Sequence, residues 1–194
     1  MLFSKTSRPY SDANREKAAQ LLVTPTALAD LSASDARVVV NFMQPKRFDL
    51  GTVFIKEGEA SHTDFMMLIL DGEVLVQNEV ASANDSMVMS IIGPGSMIGE
   101  MGVLDGAPRS ATCSATTELR VAILSRESLL KIINEDAPVA ARLMLAISKR
   151  LSDRLREANR KIKTLDALNR ALQQELDVAH NDAEQITEIS PLRD

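Results

Sequence analysis

One carboxylate and one guanidinium, Glu100 and Arg109, lie nine residues apart in a glycine-rich and otherwise apolar segment, residues 91–115. An arginine fork can donate two hydrogen bonds to phosphate oxygens, whereas a glutamate accepts a hydrogen bond from a hydroxyl group. Gly99 and Gly102 allow backbone N–H groups to approach a ligand closely, and such amides form anion sites. Together these residues predict a site for a compact nucleotide, which carries both a phosphate and a sugar hydroxyl.

The residue patterns of several other chemistries are missing from this sequence. It has no Ser-His-Asp or Cys-His arrangement and no phosphate loop of the GxxxxGK[ST] type. His62 and His180 are too far apart along the chain to suggest a metal site. We therefore predict no catalytic residue, no metal and no cofactor, and we expect that the protein is not an enzyme.

Composition and charge predict a cytoplasmic protein that binds neither nucleic acid nor membrane. The 194 residues carry a net charge of -5, whereas a dedicated nucleic-acid-binding surface is normally basic. No run approaches the roughly 18 apolar residues of a membrane-spanning helix, and the N-terminus has no apolar signal region. The single cysteine, Cys113, excludes an intramolecular disulfide and is expected in the core.

Glycine and proline usage divides the chain into two parts. All eight glycines lie between Gly51 and Gly106, and no proline occurs between Pro138 and Pro191. In the first part, short runs of β-prone residues bounded by Gly, Asp or Asn predict an antiparallel sandwich or roll. Residues 71–73, Asp-Gly-Glu, read as a hairpin turn between two of these strands.

Two shorter helices are predicted beside the strands. Residues 26–43 have a helical pattern with a possible N-cap at Thr26 or Ser34. A second helix begins after Ser125, its expected N-cap, and Pro138 marks a break. The polar N-terminal segment is expected to be mobile.

Residues 139–185 predict one long helix with a heptad repeat. Seven of eight consecutive seam positions are apolar; the a positions are Leu155, Ile162, Asn169 and Leu176, and the d positions are Ala158, Leu165, Leu172 and Ala179. Asn169 at position a favours a parallel pair of helices in fixed register, in which Lys161 and Asp166 face each other. We therefore predict a parallel homodimer. A helix lying on its own domain is the alternative, and Leu168 at g leaves higher oligomers open.

Residues 98–111, I-G-E-M-G-V-L-D-G-A-P-R-S-A, resemble the phosphate-binding cassette of cyclic nucleotide-binding domains. Such domains occur in bacterial catabolite activator proteins, protein kinase A regulatory subunits and cyclic nucleotide-gated channels. The usual form is F-G-E-x-A-L-L-x-x-x-P-R-x-A; the matching residues here are Gly99, Glu100, Leu104, Pro108, Arg109 and Ala111. The resemblance extends over residues 28–155. It implies an α+β fold: an antiparallel, jelly-roll-like β-roll flanked by helices and followed by a long C-terminal coiled-coil helix.

The resemblance also implies a role for each cassette residue. Glu100 would accept a hydrogen bond from the ribose 2′-OH, and Arg109 would pair with the cyclic phosphate. The rest of the implied binding set is Gly99 and Gly102 through their amides, Ser110 through its hydroxyl or amide, and Met101 and Ala111. Ile98 replaces the usual Phe, which changes packing below the cassette. Gly102 replaces the usual Ala, and we expect this to loosen the turn by about 0.5–1 kcal/mol.

Base recognition is implied for the start of the long helix. In family members with such a helix, residues one or two turns along it cap the purine. Arg154 is our candidate, with Ser152, Asp153 and Arg156 as alternatives. Family base rates favour cAMP as the ligand and leave cGMP open.

These inferences predict four regions and one function. The regions are a mobile segment over residues 1–24, a cyclic nucleotide-binding β-roll domain over 25–137, a dimerising coiled-coil helix over 138–187 and a tail over 188–194. We predict a cyclic nucleotide sensor that signals through its coiled coil to an unknown protein partner. No helix-turn-helix unit is seen after the long helix, so DNA binding is not expected. The alternatives are a scaffold protein with a passive or degenerate head and a degraded transcription factor.

Overall fold

The computed structural model describes residues 11–79 and 86–189, with side chains described over 11–78 and 90–177. Eight strands form two antiparallel four-stranded sheets. The first sheet has the order β1-β8-β3-β6 and the second β2-β7-β4-β5. The strands are β1 Gln44–Phe48, β2 Val53–Ile55, β3 Phe65–Asp71, β4 Val74–Glu79, β5 Ser86–Ile92, β6 Met97–Ile98, β7 Thr112–Ala115 and β8 Leu119–Ser125. The predicted antiparallel β-roll is therefore confirmed.

Five helices accompany the sheets in the described part of the chain: α1 Asp12–Leu22, α2 Ala33–Asn41, α3 Glu100–Asp105, α4 Arg126–Glu135 and α5 Ala137–Ile189. The predicted N-cap Ser125 is confirmed, since its hydroxyl accepts from the Ser128 amide at 3.1 Å. Helix α2 is capped by Ser32 and not by Thr26 or Ser34, because the Ser32 hydroxyl is the one that reaches the Asp35 amide.

The core lies between the two sheets and is built mainly from aliphatic side chains, with Phe48, Phe54 and Phe65 among them. Phe65, Met67 and Ile69 alternate along β3 and pack in one cluster with residues of the second sheet, among them Cys113 and Val74. The intervening Met66 and Leu68 are also buried, and α1 contacts β3. Strand β3 is thus apolar on both faces because sheet and helix cover it from opposite sides. The core position predicted for Cys113 is confirmed.

Residues 71–73 do not form the predicted hairpin turn. Strand β3 belongs to the first sheet and β4 to the second, so this turn carries the chain from one sheet to the other. Gly72 has a φ of 88°, and a Cβ on it would lie 2.4 Å from the Glu118 carbonyl oxygen. The glycine is required by the close approach of the β7–β8 connection, which the local sequence pattern does not reveal.

We predicted mobility over residues 1–24; residues 1–10 of this segment lie outside the described residues, and the rest differs from the expectation because it contains a packed helix. Residues Asp12–Leu22 form α1, which packs against α2 and buries Ala18, Ala19 and Leu22. The apolar residues are few, and three of them share one buried face. The apolar pattern of this segment is therefore too weak to predict a packed helix from sequence. The helix is stabilised once α2 and β3 cover its buried face.

The chain divides into two compact units, Met1–Arg150 and Leu151–Asp194. The first unit extends past our predicted domain boundary at residue 137, because Val139, Leu143, Ala146 and Ile147 of α5 are buried in it. The second unit contains the rest of α5. Within the described part of this unit, six large apolar side chains are 49% to 69% exposed: Leu155, Ile162, Leu165, Leu168, Leu172 and Leu176.

Candidate functional site

The glycine-rich segment folds as a strand, a tight turn and one short helix. Strand β6 pairs with β3, which places Ile98 opposite Met67. Gly99 follows in the left-handed conformation, with φ 82°, and is the N-cap of α3. Gly106, with φ 72°, ends α3, and its amide donates to the Gly102 carbonyl at 2.9 Å. Glycines in left-handed conformation at both ends confine the helix to residues 100–105.

Glu100 is the first residue of α3 and is 1% exposed. Its carboxylate therefore lies inside the segment and not on the outer face of the domain. A buried carboxylate is uncommon unless the surrounding groups satisfy it. The location agrees with a residue that accepts hydrogen bonds within a site.

Arg109 is also buried, at 6% exposure, and its guanidinium is held by three backbone carbonyls. Nη1 donates to the Gly99 oxygen at 3.3 Å, and Nη2 donates to the His62 and Phe65 oxygens at 2.8 and 3.1 Å. The guanidinium carbon lies 4.4 Å from the centre of the Phe65 ring, a cation–π contact. Burial lowers the pKa of the guanidinium, but an arginine stays protonated in proteins.

The backbone of Arg109 is tied to the β2–β3 loop as well. Its amide donates to the Glu59 carbonyl at 3.0 Å, and its carbonyl accepts from the Gly58 amide at 2.9 Å. His62 in the same loop has a φ of 55°, the left-handed region that non-glycine residues rarely adopt. The residue with this unusual conformation is also one whose carbonyl accepts a hydrogen bond from Arg109. The β2–β3 loop and Arg109 therefore form one hydrogen-bonded unit.

Gly99 and Gly102 are required by close contacts. A Cβ on Gly99 would lie 2.8 Å from Arg109 Nη1 and 2.9 Å from the Phe65 oxygen. A Cβ on Gly102 would lie 2.7 Å from the Thr63 oxygen and 3.0 Å from Arg109 Nη1. Our expectation that Gly102 only loosens the turn is therefore corrected: at this position an alanine collides with the β2–β3 loop.

The other predicted site residues have different environments. Met101 is 46% exposed, Ser110 is exposed and Ala111 is partly buried, so all three lie along the same segment at its surface or edge. Arg154 lies on α5 within the second unit, and its role in base recognition stays a prediction. The structure thus brings together Gly99, Glu100, Gly102 and Arg109.

Sequence reasoning missed two arginines that contact the cassette or the residue immediately before it. Arg126 Nε donates to the Val103 carbonyl at 2.9 Å, and its Nη2 donates to the Leu104 carbonyl at 2.7 Å. Arg150 Nη2 donates to the Met97 carbonyl at 3.2 Å. All three acceptors are backbone oxygens, which every residue type provides, so no motif indicates these contacts.

Two features of the described part of the chain bear on other functions. Among these residues, no group of three or more His, Cys, Asp or Glu side chains is arranged to hold a metal ion. Within the same ranges, no helix has the length and apolar character needed to span a bilayer.

Comparison with known proteins identifies the domain. Residues 45–136 match the family model of the cyclic nucleotide-binding domain. A CRP-like cAMP-activated global transcriptional regulator of Mycobacterium tuberculosis is 26% identical over 129 residues, covering 66% of this chain and 53% of that protein. A cAMP-dependent protein kinase regulatory subunit of Yarrowia lipolytica is 30% identical over 106 residues, covering 55% of this chain and 27% of that protein. This chain therefore spans about half the length of the first relative and less of the second.

A solved structure agrees with the fold and with the assignment. The crystal structure of a cyclic nucleotide-binding domain from Methylobacillus flagellatus superimposes with a TM-score of 0.65 at 27% identity, covering 75% of this chain and 80% of that one. The sequence match and the fold agree. Residues 45–136 therefore form a cyclic nucleotide-binding domain.

Proposed function

We propose that this protein is a non-enzymatic sensor that binds a cyclic mononucleotide in the cassette, residues 98–111. One observation carries the proposal: Glu100 and Arg109 are both buried in this short segment, with Arg109 Nη1 bonded to the carbonyl of Gly99, the residue before Glu100. A degenerate cassette retained only for packing has no need of a buried acid and a buried base in this arrangement, because burying charges is costly.

Each cassette residue then has a chemical task. Glu100 accepts a hydrogen bond from the ribose 2′-OH, and Arg109 binds the cyclic phosphate through a charge-assisted contact. Amides of residues 99–102 approach the ligand where Gly99 and Gly102 leave room for it. Because three carbonyls already accept from Arg109, a bound phosphate has to share the guanidinium with them. Ligand binding is therefore coupled to the position of the β2–β3 loop.

The choice of ligand is supported by the relatives. One is described as cAMP-activated and the other as cAMP-dependent, so we propose cAMP as the first candidate and cGMP as the second. Arg154 is proposed to contact the base.

The output of the sensor is proposed to pass through α5 to a protein partner in the cytoplasm, without nucleic acid or membrane. The exposed apolar side chains from Leu155 to Leu176 form a seam that favours association with another surface, because burying apolar area stabilises the helix. We propose a second copy of the chain, paired in parallel within residues 139–185. Asn169 at an a position supports this orientation, since two such side chains can hydrogen-bond across the seam.

A thermal-shift panel with cAMP, cGMP, cyclic di-GMP and linear AMP tests the proposal. A ligand at about 100 times its Kd stabilises the protein by about 2.7 kcal/mol, which corresponds to roughly 5–10 °C for a chain of this size. Arg109→Ala should remove most of the shift, because charge-assisted hydrogen bonds contribute about 1.5–3 kcal/mol each. Arg47→Ala, at an exposed arginine of β1, is the matched control and should respond as the unmutated protein does.

Two outcomes of the panel would contradict the proposal. If no cyclic nucleotide shifts the unfolding temperature while the chain still dimerises, the scaffold alternative with a passive head is favoured. If Arg109→Ala responds as strongly as the unmutated protein, the phosphate assignment is wrong.

A further inference from the structure

Arg126 is the first residue of α4, and its side chain lies against the last turn of α3. Its Nε and Nη2 donate to the Val103 and Leu104 carbonyls at 2.9 and 2.7 Å. The last carbonyls of a helix have no partner within it, and a cation is favourable at that end. A helix of only six residues is especially dependent on such contacts. The guanidinium therefore holds the C-terminal end of α3 in place.

The backbone of Arg126 is fixed near the same site. Its amide donates to the Asp64 carbonyl at 2.7 Å, and the next carbonyl along the chain, that of Phe65, accepts from Arg109. Arg126 and Arg109 thus bind consecutive peptide units of the segment that leads into β3. The position of α3 relative to the Arg109 guanidinium depends on both arginines.

Helix α4 is packed against the domain and capped, so the backbone that carries Arg126 is held in position. Leu129 and Ile132 are buried, and Ser125 caps the helix through the Ser128 amide. Helix α5 follows directly at Ala137. The hydrogen bonds from Arg126 to the Val103 and Leu104 carbonyls therefore connect the cassette to α4, and α5 follows α4 in the chain.

We propose that Arg126 is a positioning residue for ligand binding. It holds α3 so that Glu100 and the amides of the cassette face the ligand that Arg109 binds, and it links the cassette to α4. This inference rests on the proposed function, since it assumes that the cassette binds a nucleotide. Because coupling between two sites is reciprocal, a ligand that orders α3 also strengthens the contact with Arg126.

Arg126→Met tests the inference because it removes both hydrogen bonds and keeps most of the aliphatic length. We expect the Kd for cAMP, measured by titration calorimetry, to rise about tenfold, and less in Arg126→Lys, which keeps the charge but not the fork. Arg120→Met is the matched control, because Arg120 on β8 pairs with Asp71 and should leave the Kd within about twofold.

Hydrogen exchange separates positioning from a general loss of stability. Without ligand, Arg126→Met should speed exchange of the amides over residues 103–107 while leaving the β3 amides protected as in the unmutated protein. Saturating cAMP should slow exchange over residues 126–135 in the unmutated protein, and this response should be lost in Arg126→Met. Unchanged Kd together with unchanged exchange at residues 103–107 would overturn the inference.

These measurements distinguish failure of nucleotide binding by the cassette from failure of the positioning role of Arg126. If the unmutated protein binds no cyclic nucleotide, the proposed function fails, and exchange at residues 103–107 without ligand still decides the role of Arg126. If Arg126→Met does not fold, Arg126→Lys takes its place. A Kd and an exchange pattern equal to those of the unmutated protein would then overturn the inference.

Discussion

Replacing Gly102 by alanine would restore the residue usual in this family, and we expect it to damage the cassette. The alanine Cβ would lie 2.7 Å from the Thr63 carbonyl oxygen and 3.0 Å from Arg109 Nη1. Both distances are shorter than ordinary van der Waals contact. The Thr63 oxygen belongs to the backbone, so it cannot rotate away as a side chain would. Either the β2–β3 loop or α3 has to move.

Two opposing contributions set the size of the effect. Alanine is favoured over glycine inside a helix by about 1 kcal/mol. Forcing an extra carbon into a packed site costs about 1–3 kcal/mol. The expected result is a net loss of about 1 kcal/mol of unfolding free energy. Since Arg109 is displaced as well, we also expect a weaker affinity for cAMP.

Urea denaturation of Gly102→Ala and of a matched glycine variant measures the effect. Gly93→Ala is the control, because a Cβ there meets nothing closer than the Gly72 oxygen at 3.9 Å and Gly93 lacks a left-handed φ. That substitution should be neutral or stabilise by about 0.4–1 kcal/mol through the unfolded state. If Gly102→Ala proved as stable as Gly93→Ala and bound cAMP with unchanged affinity, the close approach of Thr63 to α3 would be refuted.

Two further predictions concern the ion pair at α2 and the seam of α5. Asp35 accepts from Arg142 Nε and Nη2 at 2.7 and 2.8 Å, and these hydrogen bonds lower the pKa of its carboxyl. Asp35→Ala should cost about 1–2 kcal/mol in urea denaturation, because Arg142 is half exposed. The pKa is lowered on folding, so this stability is fully present above the ordinary pKa of about 4 and is lost as pH falls through the lower pKa of the folded state; a difference from the unmutated protein that did not shrink on acidification below pH 4 would contradict the assignment. Asn169→Leu should keep or raise helix stability and yield mixed oligomers in light scattering, and a monomeric unmutated protein at micromolar concentration would contradict the proposed pairing.

The cassette could be located from sequence because its defining relations are local. Gly99 and Gly106 bound a single short helix, and Glu100 and Arg109 are separated by that helix and a brief turn. Residue type and spacing are sufficient to recognise such a segment, although contacts from the β2–β3 loop and Arg126 hold it in place. The strands were recognised for a similar reason: β-prone runs are bounded by turn residues along the sequence.

Partners of the cassette could not be located in the same way. Arg109 is held by carbonyls of His62 and Phe65, more than 40 positions earlier, and α3 is held by Arg126. A carbonyl oxygen is supplied by every residue type, so a contact with one has no signature in the sequence. The effect of Gly102 was mispredicted for the same reason, because the atom that a Cβ at this position would meet is the Thr63 backbone oxygen.

The sequence alone determined the cassette and its acid and base, the family, and the apolar seam of the long helix, because each is written in residue types at short spacings. Only the tertiary structure decided which carbonyls hold Arg109, why Gly102 has to be glycine, which sheet each strand joins after Gly72, and that Arg126 holds the end of α3. Those features arise where distant backbone segments come within a few ångströms of each other. That distance is a property of the fold and not of any neighbouring pair of residues.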